Sequence, residues 1–478
     1  MKPSRAALLP FAFLLSLATA GAAEAADSAT LAKIRDAALA DDWAFQRLAD
    51  LTDKIGPRLS GSPGAEAAVA QVAAAAKAAG LSVTLQPVKV PHWVRGEERG
   101  ELVEYSGRPA GITQKLHLTA LGGSGATPAK GLTLPVLVIH SFAELESRAA
   151  EAKGKIVLLS VPFNQLLADN GRSGEAYGQG GEPRFRGPAA LAKVGAAAAL
   201  VRSVGGANYR IPHTGATIFE EGGQRIPAAA LSVEDALLIE RLGAQGPVTM
   251  KLTLTPQILP DADSHNVLAD LVGSEKPEEV VVVSGHLDSW DLATGAIDDG
   301  AGVASALGAV RLLKSLGLKP KRTIRAIAWM NEENGTRGGK AYFEANKNAL
   351  ATQFAAIESD SGAGRPLGLL ANTTKASMAL LKPLLETLQP IGATSFEHRE
   401  GPVGADISPL QRAGVPGFEP LLDTRSYFNY HHTPADTLDK VDPADIQRQV
   451  AVIATLAYLL ADTNEPLPRL PVDAKDDD

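Results

Sequence analysis

The chain has 478 residues, an ordinary hydrophobic share of 45% and a formal net charge of −8, enough length and apolar content for two or three domains with full cores. The acidic balance excludes the basic patches that nucleic-acid binding requires, and adhesion to anionic lipid as well. There is no cysteine, so disulfides are excluded and thiolate drops out as metal ligand or nucleophile.

In chain order, Lys2 and Arg5 precede an apolar run at 6–17, and small residues follow at 18–26, including Ala18-Thr19-Ala20 and Ala23-Glu24-Ala25. That order of charge, apolar run and small-x-small site is a secretory signal, expected at 1–25. The run is shorter than the about 20 apolar residues of a membrane anchor. The mature protein is therefore expected to be secreted or periplasmic, without membrane attachment.

Residues 28–49 carry apolar positions at helical spacing, and 56–62 (GPRLSGS) interrupt them. An Ala-rich helix is predicted over 63–79, ending at Gly80, with an alternating strand at 81–90. From about 124 the character changes. Short β-rich runs at 136–139 and 155–160 flank a helix at 142–152, a Gly-, Arg- and Asn-rich loop spans 164–187, and a helix at 188–194 leads to a buried strand at 195–201. His140 and His213 stand alone there and read as structural. Residues 124–255 are thus expected to form a smaller inserted α/β domain. Segments 27–123 and 256–464 make up the main domain, and 465–478 a flexible tail.

Beyond His265, strands (280–284, 323–330, 354–357, 415–418) alternate with helices (301–316, 373–388, 443–461). This pattern implies an α/β fold with a mostly parallel central sheet flanked by helices. Ligand sites in such sheets lie beyond the carboxyl ends of the strands. Three of these strands end in metal-type residues: His286 and Asp288; Asn331, Glu332 and Glu333; Glu358 and Asp360. Asp298-Asp299 precede a helix, with Asp299 placed as an N-cap, and a late loop adds His431-His432. Carboxylates gathered at one sheet edge repel unless a cation lies among them. Imidazole mixed with carboxylate suits Zn²⁺, and also Mn²⁺ or Co²⁺. The donors outnumber the needs of one tetrahedral ion, and two ions sharing a carboxylate would use them all. The pattern leaves amide and phosphate-ester substrates both open.

The ordered set GHLDSWD, GAIDDGAG, WMNEENG, ESDSG and YHHTPADT resembles the co-catalytic di-zinc exopeptidases that include bacterial leucyl aminopeptidases, and most nearly their carboxypeptidase Q branch. GPRLSGS, PHWVRGEE and AKGKIVLLS extend the likeness over nearly the whole mature chain. The resemblance implies two zinc ions, with His286, Asp360, Glu333 and His432 as ligands and Asp298 as the bridge. It also implies Glu332 as general base, Asp288 as the carboxylate orienting His286, and His431 as a neighbour. The region 124–255 resembles a protease-associated domain. Small peptides are the implied substrates, cleaved in carboxypeptidase or dipeptidase mode or in aminopeptidase mode, and a homodimer is implied by likeness alone. Arg425, Tyr427, Asn429 and His398 are candidates to hold a substrate terminus. An inactive receptor or scaffold of this fold would show lost ligands, and none is lost.

Overall fold

Val280, Val281, Val282 and Val283 form the buried middle of the strand Lys276–His286. Val281 and Val283 face a core shared with Leu307, Val310 and Leu456, whereas Val280 and Val282 face a second core with Trp329 and Tyr342. A strand covered on both faces needs an unbroken apolar run, and each valine so buried contributes about 1.5–3 kcal/mol. The computed structural model describes residues 28–206 and 208–472. The expected signal at 1–25 and the last part of the tail lie outside them.

The strand Lys276–His286 sits near the middle of an eight-stranded sheet. It runs parallel to Arg322–Trp329 on one side and to Gln353–Glu358 on the other. Gly417–Leu422 continues the parallel set. Ser82–Val94, Gln257–Leu271 and Pro366–Asn372 add antiparallel pairings towards the margins. The helices Ala301–Ser315 and Pro443–Asp462, both almost wholly buried, cover one face. The expected α/β fold with helices on a largely parallel sheet is therefore present. The strands at 257–271 and 366–372 had no counterpart in the sequence reading. No described helix is long and apolar enough to cross a membrane.

A second eight-stranded sheet has Leu132–Ile139, Ile156–Leu159, Ala198–Arg202 and Ala228–Leu231 in parallel at its centre. It also takes in Glu98–Glu104, Gln114–Leu116 and Leu118–Ala120, which precede residue 124. The expected loop at 164–187 is largely helical: Gln165–Asp169 is a short helix, and Ser173–Lys193 a long one with Pro183 and Pro188 inside it. Burial decides the outcome against the local breakers, since Ala176, Gly180, Arg184 and Leu191 are all buried along it.

Candidate metal centre

His286 ends its strand, and Glu332 and Glu333 follow the neighbouring strand Arg322–Trp329. Asp360 follows the strand on the other side, Gln353–Glu358. Adjacent parallel strands therefore deliver these residues to one crevice. The Nδ1 of His286 lies 2.9 Å from the Asp288 carbonyl oxygen, which turns Nε2 towards Asp298 Oδ1 at 3.1 Å and Asp360 Oδ1 at 3.3 Å. His432 is arranged likewise. Its Nδ1 lies 3.2 Å from the Thr214 carbonyl oxygen, and Nε2 lies 3.0 Å from Glu333 Oε2 and 3.3 Å from Asp298 Oδ2. Asp298 thus turns one oxygen to each imidazole.

These separations suit a pair of cations. Donors about 2.0–2.1 Å from a tetrahedral zinc stand roughly 3.3 Å from one another. The buried Asp298 Oδ2 has no hydrogen-bond donor of its own, and His286, Asp298 and Glu333 offer donor atoms within 4.8 Å of one another. Carboxylates are also in excess. Burial, with Asp298 beside it, pushes Glu333 up to about 7. Burial likewise raises Asp360, and raises Asp406 behind the site to about 8. A cation between these groups relieves the repulsion.

The turn carrying Asp298 is held from several directions. Asp436 Oδ1 accepts the N–H groups of Ala296 and Ile297 at 2.8 and 2.7 Å. The buried Arg58 donates to the carbonyls of Leu287, Gly56 and Gly295 at 2.7, 3.0 and 2.9 Å. A Cβ on Gly302 would stand 1.9 Å from the Ser359 carbonyl oxygen, so this crossing requires glycine. The peptide bond Asp298–Asp299 is cis. Asp299 Oδ1 accepts the Gly302 N–H at 2.9 Å in cap fashion, and its Oδ2 accepts the His286 N–H at 2.9 Å, tying the helix start to the strand end. The main-chain N–H of Trp290 donates to Glu333 Oε1 at 3.2 Å and fixes that carboxylate.

Asp288 differs from expectation. Its carboxylate Oδ1 is 4.0 Å from His286 Nδ1 and instead accepts the N–H groups of Asn331 and Glu332 at 2.7 and 3.0 Å. The main-chain carbonyl of Asp288 orients the imidazole, and its side chain holds the turn that bears Glu332. Burial raises the Glu332 carboxyl well above its usual range. His431 stacks on His432 with ring centroids 3.5 Å apart and brings Nε2 to 3.4 Å from Asp298 Oδ2.

A cavity of about 1450 Å³ opens over these residues, with Tyr177 and Trp93 among its walls. Tyr427 and His398 line it. Arg425 pairs with Asp423 outside it, and Asn429 does not line it. Sequence reading gave no role to Arg58 and Asp436, although they lie within GPRLSGS and YHHTPADT, and missed Tyr177, Arg184 and Asp406, which adjoin no metal-type motif. It set His213 aside as structural; that imidazole is buried, pushed down to about 3 by burial, and its Nδ1 lies 2.8 Å from the His431 carbonyl oxygen.

Fold and donor set together define a metallo-exopeptidase. Residues 266–457 match the model of Peptidase family M28. Carboxypeptidase Q of Xenopus laevis is 40% identical over 435 residues, spanning 90% of this chain and 88% of that protein. The crystal structure of a Peptidase M28 precursor from Shewanella amazonensis SB2B superposes with a TM-score of 0.86 at 35% identity, over 93% of this chain and 98% of that one. BSAP, a zinc aminopeptidase from Bacillus subtilis, shares the fold with a TM-score of 0.64 at 21% identity, over 89% and 98% of the two chains. The chain belongs to peptidase family M28.

Proposed function

We propose that this M28 peptidase is a secreted or periplasmic two-zinc exopeptidase that hydrolyses dipeptides or short peptides in carboxypeptidase Q fashion. The observation that carries this reading is the placement of Asp298, one oxygen towards His286 and the other towards His432. In it His286 and Asp360 would hold one zinc and His432 and Glu333 the other, with Asp298 as the carboxylate shared between the two sides. When bound, the ions supply a water with pKa lowered towards about 7 and a Lewis acid for the scissile carbonyl.

The chain's own residues do the rest. Glu332, next to a ligand and held through its N–H by Asp288, takes the proton of the attacking water as the carbon–oxygen bond forms. It then returns that proton to the leaving nitrogen as the carbon–nitrogen bond breaks. The cavity walls combine strand ends of the main sheet with the helix Ser173–Lys193 and loops of the second layer, which gives a short peptide surfaces on both sides. We read 124–255, the region holding most of the second sheet, as an inserted protease-associated-like domain.

An aminopeptidase mode is the second reading, favoured by one observation. Glu419 lines the cavity near Asp360, and burial pushes its carboxyl up to about 7, as for an acid awaiting a cationic partner. Dipeptides blocked at the amino or carboxyl end separate the modes. Cleavage that survives an amino block but not a carboxyl block supports the carboxypeptidase mode. Glu332→Gln tests the mechanism: kcat is expected to fall about 10²–10⁴-fold with zinc content by elemental analysis unchanged. Turnover near wild type with zinc bound overturns it.

A further inference from the structure

We propose that the second-sheet layer is a working part of the metal centre, with Arg184 positioning His432 so that it sets the metal affinity of the His432–Glu333 side. The proposal rests on the two-metal reading above. His432 has φ +61°, the left-handed region that costs a non-glycine residue about 1–2 kcal/mol. Thr433 closes the turn around it, its N–H and hydroxyl donating to the Tyr430 carbonyl at 3.1 and 2.7 Å, and contacts from elsewhere fix the His432 carbonyl and ring.

Those contacts come from the other layer. The Thr214 N–H donates to the His432 carbonyl at 2.9 Å, and His432 Nδ1 lies 3.2 Å from the Thr214 carbonyl, a two-point clasp. A carbonyl only accepts, so Nδ1 carries the hydrogen and Nε2 keeps its lone pair for a metal. One residue earlier, His213 Nδ1 donates to the His431 carbonyl at 2.8 Å. The Gly206 N–H donates to the Phe428 carbonyl at 2.9 Å. A Cβ on Gly205 would stand 2.1 Å from the His213 ring, so only glycine lets this loop approach so closely.

Arg184 locks the clasp. It is 1% exposed, and its Nη1 donates to the Thr214 carbonyl oxygen at 3.4 Å, the same oxygen that takes the His432 Nδ1 hydrogen; the link to His432 runs through that shared acceptor, since Nη1 and Nδ1 are both donors. Its Nη2 donates to the Tyr177 hydroxyl at 2.5 Å, and the Tyr177 ring stacks on Phe428 at 4.5 Å. Its Nε is buried without a hydrogen-bond partner. Burying a guanidinium without a carboxylate partner is costly, and here the charge lies beside a carboxylate-rich centre. His286, by contrast, is held within the main layer by Asp288 and Asp299. The effect of Arg184 is therefore one-sided.

The test titrates Co²⁺ into the full chain stripped of metal, in His286→Ala and His432→Ala backgrounds that each leave one side intact. Arg184→Met is expected to weaken Co²⁺ binding about 10–100-fold in the His286→Ala background, and to leave it within about twofold in the His432→Ala background. Arg184→Lys is expected to restore part of the loss. Equal weakening in both backgrounds, or none in either, overturns the proposal. Should Arg184→Met fail to fold, Tyr177→Phe, which removes only the hydroxyl anchoring Nη2, must show the same one-sided weakening or the proposal falls. A wild-type chain that binds no Co²⁺ at all refutes the two-metal reading itself, so the two failures are told apart.

Discussion

Asp288 Oδ1 accepts the main-chain N–H of Glu332 at 3.0 Å, a bond between the loop after one strand and the turn after its neighbour. The same oxygen takes the Asn331 N–H at 2.7 Å, and Asn331 holds φ +75°. Asp288→Ala leaves both buried donors unmet and frees that turn. A fall of about 10–100-fold in kcat with little change in KM is expected, measured by steady-state kinetics on a dipeptide. A KM effect alone would contradict this assignment.

Asp298 and Asp360 differ in reach. Asp298 approaches His286 and His432, whereas Asp360 approaches His286 alone among these two. Asp298→Asn is therefore expected to lower metal content per chain more than Asp360→Asn, measured by elemental analysis after dialysis. Equal losses would argue against a bridge.

Metal removal should lower stability without abolishing the fold. A ligand bound only by the native state adds about 2.7 kcal/mol at a hundredfold excess over its Kd. The cores on both faces of the main sheet are apolar and do not depend on the metal. Chelator treatment is expected to lower Tm while leaving the far-ultraviolet circular dichroism at room temperature unchanged. An unchanged Tm would mean that the site contributes nothing to folding.

Arg58 is fully buried, and burial pushes its guanidinium down to about 10. It joins the carbonyls of residues 56, 287, 294 and 295. Arg58→Met strands these acceptors in the interior, at an expected cost of about 3–4 kcal/mol read from urea unfolding. A loss below about 1 kcal/mol would show that the acceptors find other partners.

The centre of the main sheet was legible because a doubly covered strand must be apolar throughout, and the run of valines before His286 meets that condition. The gathering of His286, Glu333 and Asp360 was legible because parallel neighbours end on one side. The helix Ser173–Lys193 was not. Its buried stripe at Ala176, Gly180, Arg184 and Leu191 has helical spacing but includes glycine and arginine, which do not register as a hydrophobic face. Nor does sequence distinguish the Asp288 carbonyl from its carboxylate, since both leave the same residue. Arg184 carries no local sign of its neighbourhood, because it meets His432 only through folding.

The strands Ser82–Val94 and Gln257–Leu271 pair antiparallel along their length, with Val94 opposite Gln257. In a tight β-hairpin about two residues join such a pair; here residues 95–256 do. The chain leaves the main sheet and returns to it at adjacent points, so a whole sheet with its helices hangs from what is topologically one turn. Exchanging that turn for a short one would keep every strand of the main sheet in register. It would also remove Thr214 and Arg184 from beside His432, leaving a sheet able to assemble with one side of its crevice unbraced.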